Sequence, residues 1–144
     1  MPEWVNTATN EYSKRLKEFC HFSIVEIPLQ KRAKDSQMDK ILEKESQLIL
    51  NAIPKQAYCI ALDSSGNTFS SESMAQQINK LQLYNSNWCF IIGGPEGLSN
   101  EVMDRADERW SLSQLTFPHP LARIILCESL YRSFAILNNH PYHK

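Results

Sequence analysis

An apolar run that stops on two glycines constrains this chain more than any other stretch. Phe90-Ile91-Ile92 passes at once into Gly93-Gly94-Pro95-Glu96-Gly97, so a buried strand, Trp88 to Ile92, delivers almost bare backbone to its own C-terminal end. Ligands of open α/β sheets bind at that end. Glycines there remove the side chains that would keep a planar or charged ligand away from backbone donors and acceptors. The loop therefore reads as a binding site.

Upstream and downstream, helical and extended patterns alternate. Pro2 suits the first turn of a helix, and Trp4, Val5, Ala8, Tyr12, Leu16 and Phe19 recur at three- and four-residue steps. Phe22 to Ile27, rich in β-formers and stopped by Pro28, predicts a short strand buried on both faces. Asp35 or Ser36 caps a second helix with Met38, Ile41, Leu42, Leu48 and Ile49 on its apolar face, and Pro54 ends it. Ala57 to Leu62 predicts a strand stopped by Asp63. Ser64-Ser65-Gly66-Asn67 is turn chemistry, and Met74, Ile78 and Leu81 mark a third helix. After Gly97, Ser99 or Asn100 caps a short helix through Val102, Met103 and Ala106. Trp110 to Leu115 predicts a further strand, broken by Thr116-Phe117-Pro118-His119-Pro120. The last helix starts near Pro120 and carries Leu121, Ile124, Ile125, Leu126, Leu130, Phe134 and Leu137, a band too wide for burial on one side only.

This alternation gives an α/β class: a mostly parallel sheet flanked by helices. A site then forms from Leu62-Asp63, Gly93-Gly94 and the Thr116 to Pro120 turn, provided their strands are neighbours. At 144 residues and 42% hydrophobic content the chain is one domain that buries a core without metal or disulfide staples. Cys20, Cys59, Cys89 and Cys127 form no C-x-x-C pair and read as core thiols of a reducing compartment. The expected location is the cytoplasm, since there is neither a signal peptide pattern nor an apolar run approaching the ~18 residues of a membrane span.

Several chemistries drop out. Gly97 is followed by Leu98-Ser99, without the lysine a phosphate-binding P-loop needs, and adjacent Gly93 and Gly94 break the dinucleotide fingerprint. His140-Pro141-Tyr142-His143 has no Cys or Asp partner at metal-ligand spacing, so no metal is expected. His119 between two prolines reads as a rigid turn residue. Glu128 and Arg132 stand at ion-pair spacing on the last helix, which for Glu128 reads as solvation of a face. Arg132, on an otherwise apolar helix, is placed to hold a phosphate, and Arg123 shares that ambiguity. A net charge of -1 gives no overall attraction to nucleic acid. Any RNA contact must use a local patch, for which Lys14, Arg15, Lys17, Lys31, Arg32 and Lys34 are the candidates.

Five segments in order resemble one family. Ile91 to Leu98, Trp110-Ser111-Leu112-Ser113, Thr116 to Leu121, Glu128-Ser129-Leu130-Tyr131-Arg132 and Asn139-His140-Pro141-Tyr142-His143 are similar to the bacterial ribosomal RNA large subunit methyltransferase H family, small enzymes of the SPOUT class. Weaker likeness runs through Trp4-Val5, Ile24 to Pro28, Lys31-Arg32 and Leu62-Asp63. The resemblance implies methylation, by S-adenosyl-L-methionine, of N3 of a pseudouridine in 23S rRNA of the assembled ribosome. It also implies a homodimer and a C-terminal trefoil knot, which general topology rules would not anticipate.

Carried over by position, the cofactor residues fall on Leu62, Gly94, Ser113, Gln114, Leu115, Thr116, Phe117 and Pro118. An adenine and a sulfonium need apolar walls and backbone hydrogen bonds, which such loops offer. A general base for the weakly acidic N3 proton contributes roughly 10²- to 10⁴-fold. His143, or His140 with Tyr142, is expected to fill that role, reaching from the tail of one subunit to the cofactor of the other, with Arg132 on target phosphate. Two other readings stay open: a SPOUT enzyme acting on tRNA, and a ribosome-binding assembly factor without catalysis. In one respect the sequence departs from the family. Its members begin with a short apolar strand and glycine loop before the Met-Pro-x-Trp-Val segment, whereas this sequence opens at Met1-Pro2-Glu3-Trp4-Val5. Either the chain starts at an internal methionine, or the domain of residues 1–144 lacks that strand.

Overall fold

A computed structural model describes residues 1–31 and 37–143. At its centre is β1 (Tyr58–Asn67), whose Cys59, Ile60 and Ala61 are fully buried. Side chains alternate across a strand, so neighbours in β1 enter different layers. Ile60 packs among Leu16 of α1 (Glu3–Leu16), Met74, Ile78 and Leu81 of α3 (Ser71–Gln82), Trp110 of β3 (Glu108–Trp110), and Leu126, Leu130 and Phe134 of α5 (His119–Leu137). Cys59 packs with Ile91 of β2 (Trp88–Ile92), Val102 of α4 (Asn100–Arg105), and Ile49 and Leu50 of α2 (Met38–Ala52). A strand buried on both faces belongs in the interior of a parallel sheet. The observed order is β2-β1-β3, all parallel.

The register sets the site. Tyr58 to Leu62 pairs with Trp88 to Ile92, and Ile60 to Leu62 pairs with Glu108 to Trp110, so Leu62, Ile92 and Trp110 end together. Past Leu62 the chain makes an excursion and returns, with Asn67 again opposite Trp110 and its carbonyl accepting from the Ser111 N–H at 2.8 Å. Gly66 permits this return. A Cβ there would stand 2.5 Å from the Arg109 carbonyl carbon and 2.6 Å from the Trp110 nitrogen, both backbone. The Glu108 carboxylate pins three elements together, accepting from Tyr58 Oη at 2.6 Å, Trp110 Nε1 at 2.8 Å and Gln77 Nε2 at 3.0 Å. Burial, then the hydrogen bond to Glu108, raises the Tyr58 phenol far above its ordinary range and keeps it a donor.

Two expected strands are corrected. Phe22 to Ile27 forms no strand and joins no ladder among the described residues, and Ile24 and Val25 are exposed. Between that segment and the outer edge of β2 runs an apolar cavity of about 770 Å³, lined by Leu42, Ile49 and Ile53 on one side and Leu126, Leu130 and Phe134 on the other. Without a neighbour to share its N–H and C=O groups, a β-rich sequence forms no ladder. Trp110 to Leu115 likewise is no strand. The strand lies earlier, at Glu108–Trp110, because Ser111 Oγ donates to the Ser113 carbonyl at 2.9 Å and Ser113 Oγ accepts from the Leu115 N–H at 3.0 Å. Those local bonds replace the ladder. Asp63 does not end β1 either: its carboxylate accepts from the Ser65 N–H and hydroxyl within the excursion.

The helices follow the pattern more closely. Ser99 caps α4, accepting from the Val102 N–H at 3.2 Å. The caps expected at Asp35 and Ser36 lie outside the described residues, and Gln37 stands at the start of α2. Leu126, Leu130, Phe134 and Leu137 of the α5 band are covered inside one chain, where the helix packs against α1, α3 and β2, whereas Leu121 is exposed and Ile124 and Ile125 are half-buried. Cys59 and Cys127 are buried and Cys20 and Cys89 half-buried, all as free thiols.

Candidate active site

The strands that lead into the three suspected loops, β2, β1 and β3, are neighbours with aligned ends. After Ile92 the chain folds tightly: the Gly97 N–H donates to the Gly94 carbonyl at 3.0 Å, and Gly97 has φ +78. A Cβ on Gly93 would lie 2.8 Å from the carbonyl carbon of Gly97. Gly94 and Gly97 leave their surroundings open: a Cβ on Gly94 meets only the Leu29 side chain at 3.1 Å, and one on Gly97 meets nothing within 4 Å. Beside this loop Leu62 is half-buried against the core.

In the segment after β3, Ser113 and Phe117 are half-buried and Gln114, Leu115, Thr116 and Pro118 exposed, with Leu115 at 72%. None of these six lines the large cavity beside β2, although Gly94, His119 and Arg123 do. That cavity follows a sheet edge, so its size does not make it the reaction site. A bare glycine backbone together with an exposed leucine and proline and a half-buried phenylalanine fits an adenine and a sulfonium, which call for close approach and apolar cover.

At the far end of α5 the tail is turned back on the helix. Asn139, at φ 54, occupies the left-handed position, the Asn139 N–H donates to the Ile136 carbonyl at 3.2 Å, and the His140 N–H donates to the Ala135 carbonyl at 2.8 Å. This is a Schellman ending, for which asparagine is a tolerated substitute for glycine. Asn138-Asn139 was the legible signal for this reversal, and sequence reasoning passed over it. The reversal brings the candidate catalytic residues together. Tyr142 packs edge-on against Tyr131 at 4.7 Å between ring centroids and its hydroxyl lies 3.3 Å from Glu128. His140 lies edge-on to Tyr131 at 6.2 Å, and its Nδ1 accepts from the Tyr142 N–H at 3.2 Å.

Arg132 links this cluster to the loops. It binds Glu128 at 2.7 Å through Nη2, sits 4.8 Å over the Tyr142 ring, and reaches His143 Nδ1 at 3.0 Å through Nη1. Glu128 thus organises the tail as well as solvating a helix face. Burial first, then a hydrogen bond with Tyr12, pushes the Tyr142 phenol up to about 12, so it serves as donor and not as base near neutrality. Arg132 and Glu128 also line a small cavity of about 140 Å³ with Ser111 and Leu112, where the loop carrying Ser113 to Pro118 begins. Arg123 instead faces Glu26 at 3.5 Å.

Of the proposed basic patch, Lys14, Lys17 and Lys31 are exposed. Arg15 is engaged with Glu11 at 3.2 Å and with the rings of Tyr12, Tyr131 and Tyr142. Arg32 and Lys34 lie outside the described residues. Among the described residues no three His, Cys, Asp or Glu side chains form a metal-holding group, and no helix is long and apolar enough to cross a membrane.

A three-stranded parallel sheet flanked by helices, with a glycine loop at its C-terminal edge and a histidine tail folded back on α5, makes a small α/β domain. The family model described as "Predicted SPOUT methyltransferase" matches residues 1–143, and the chain belongs to that family. It is 58% identical to a protein of Legionella pneumophila (strain Paris) named Ribosomal RNA large subunit methyltransferase H, over 100% of this chain and 92% of that protein. Proteins of the same name from Dichelobacter nodosus and Thioalkalivibrio sulfidiphilus are 45% and 43% identical over the same shares.

Proposed function

We propose that the chain is a 23S rRNA methyltransferase that acts on N3 of a pseudouridine in the assembled ribosome, as a cytoplasmic homodimer using S-adenosyl-L-methionine. One observation carries the reading. The folded-back tail gathers Arg132, Tyr142 and His143 into one cluster, in a chain similar over its whole length to relatives named for rRNA methylation.

S-adenosyl-L-methionine supplies an electrophilic methyl group on a sulfonium. Leu62, Gly94 and residues Ser113, Gln114, Leu115, Thr116, Phe117 and Pro118 hold it through backbone groups and apolar cover. The trefoil knot implied by the resemblance belongs to the same proposal, and is supported by the family match over residues 1–143. So does the reading of residues 1–144 as one domain, supported by the core that the sheet shares with α1, α3 and α5. His143 is the base for the N3 proton, with His140 and Tyr142 orienting the tail, and Arg132 holds a target phosphate through the face it does not give to Glu128. In the dimer the tail serves the partner's cofactor site. Lys14, Lys17 and Lys31 add attraction to rRNA that weakens with salt.

The test is mass mapping of rRNA and tRNA after incubating ribosomes and tRNA with the protein and labelled S-adenosyl-L-methionine. A methylated pseudouridine in 23S rRNA is expected. A tRNA product would sink the assigned substrate, and ribosome binding without any product would leave an assembly factor.

A further inference from the structure

Glu72 carries no signal in the sequence, yet it holds the second ring nitrogen of the tail histidine. It stands in the first turn of α3, and its Oε1 lies 3.0 Å from His143 Nε2 while Arg132 Nη1 lies 3.0 Å from Nδ1. An arginine has donors and no acceptor, so Nδ1 must offer its lone pair to Arg132. The ring proton of the neutral imidazole is then on Nε2, where it donates to the Glu72 carboxylate. A doubly protonated ring would set two donors against each other at Nδ1. We infer that Glu72 is a positioning residue for His143: together with Arg132 it fixes the tautomer in which Nε2–H is bound by carboxylate and Nδ1 is the basic atom.

This rests on the base role proposed for His143 and gives it a mechanism. While Nδ1 is bound to Arg132 its lone pair is occupied, so the tail is latched. When the Arg132 guanidinium turns to a phosphate of bound RNA, Nδ1 is released as a base, and the N3 proton moves onto it. The imidazolium that results keeps its Nε2–H on Glu72, the arrangement of a base oriented by a carboxylate through its far nitrogen. The other groups around the ring fit the assignment. Glu128 on α5 is committed to Arg132, and Tyr142 packs beside Arg132 and Tyr131. From α1, Arg15 lies over the Tyr142 ring at 5.8 Å, and Tyr12 contributes to raising its phenol. The Glu72 carboxyl is held below its ordinary range, first by its own backbone N–H and then by His143.

The Glu72 side chain is 65% exposed, so its replacement leaves the core intact. Nitrogen-15 NMR of histidine-labelled full-length protein reads the tautomer without turnover. The wild type is expected to show the Nε2–H form at His143, and Glu72→Ala a mixture of both forms. In methyl transfer, Glu72→Ala is expected to lower kcat roughly tenfold at unchanged KM for S-adenosyl-L-methionine. Glu72→Gln, which keeps an acceptor oxygen, restores the single tautomer but not the full rate. A proton found on Nδ1 in the wild type, or an unchanged tautomer and rate in Glu72→Ala, overturns the inference. A His143→Ala protein as fast as the wild type overturns the base role instead, and does so independently of the tautomer readout.

Discussion

Gly93 and Gly97 are glycines for different physical reasons, and the difference predicts different variants. Gly97 has φ +78 with open space where a Cβ would go, so Gly97→Ala meets only the left-handed penalty, about 1–2 kcal/mol of stability. Gly93 has no such strain, but its Cβ would press on the Gly97 backbone, which cannot give without displacing the loop. Gly93→Ala is therefore expected to weaken S-adenosyl-L-methionine binding at least tenfold, measured by titration calorimetry, and more than Gly97→Ala does. Equal affinities in the two variants would contradict this. The thiols give a second prediction at this scale. Burial raises the thiols of Cys20, Cys59 and Cys89 above 9.0, and that of Cys127 to about 11. A group with a raised folded pKa stabilises below its unfolded value and loses that contribution as pH rises through the folded one. Melting temperature should accordingly fall between pH 9 and pH 11, and Cys127→Ala should flatten that slope.

Among the elements, α3 is fastened at its start by a reciprocal pair of side chains. Ser70 Oγ accepts from the Ser73 N–H at 3.0 Å, and Ser73 Oγ accepts from the Ser70 N–H at 2.8 Å. Ser70→Ala is expected to cost about 1 kcal/mol in denaturant unfolding. Because the same first turn carries Glu72, the variant should also loosen His143, whereas removal of Ser99 from the start of α4 should not. The elements also show what a sequence discloses. Buried on both faces, β1 and β2 announced themselves by uninterrupted apolar runs, and α5 by its wide band. Phe22 to Ile27 has the same β-rich composition, but composition does not reveal whether a neighbouring edge is within reach. β3 was displaced for the opposite reason: Glu108 and Arg109 look like loop residues until Tyr58, Gln77 and Trp110 are seen to gather on the Glu108 carboxylate. Glu72 was illegible because its partner lies 71 positions away.

For the whole molecule, the tail decides whether the two ends of the site act as one. The glycine loop and the exposed turn after β3 form one end, and Arg132 with the folded-back histidines the other. They meet only across the small cavity between Ser111, Leu112 and Arg132. The tail touches α1 through Arg15, α3 through Glu72, and α5 through Arg132 and the buried Tyr131, whose ring meets Tyr142 and His140. Deleting residues 140–144 removes the cover of that one buried ring, and the melting temperature should drop by only a few degrees, since about 1 kcal/mol shifts a domain of this size by roughly that much. Methyl transfer is a different matter. Loss of the proposed base and of the partner that holds Arg132 should lower kcat by at least ~10²-fold, while S-adenosyl-L-methionine binding, which the proposal assigns to Gly94 and the Ser113 to Pro118 turn, stays within a factor of about three. Calorimetry and a ribosome methylation assay on the same truncated protein separate the two ends. If cofactor affinity falls in step with turnover, the tail belongs to the cofactor cradle; if both hold, it has no part in the reaction.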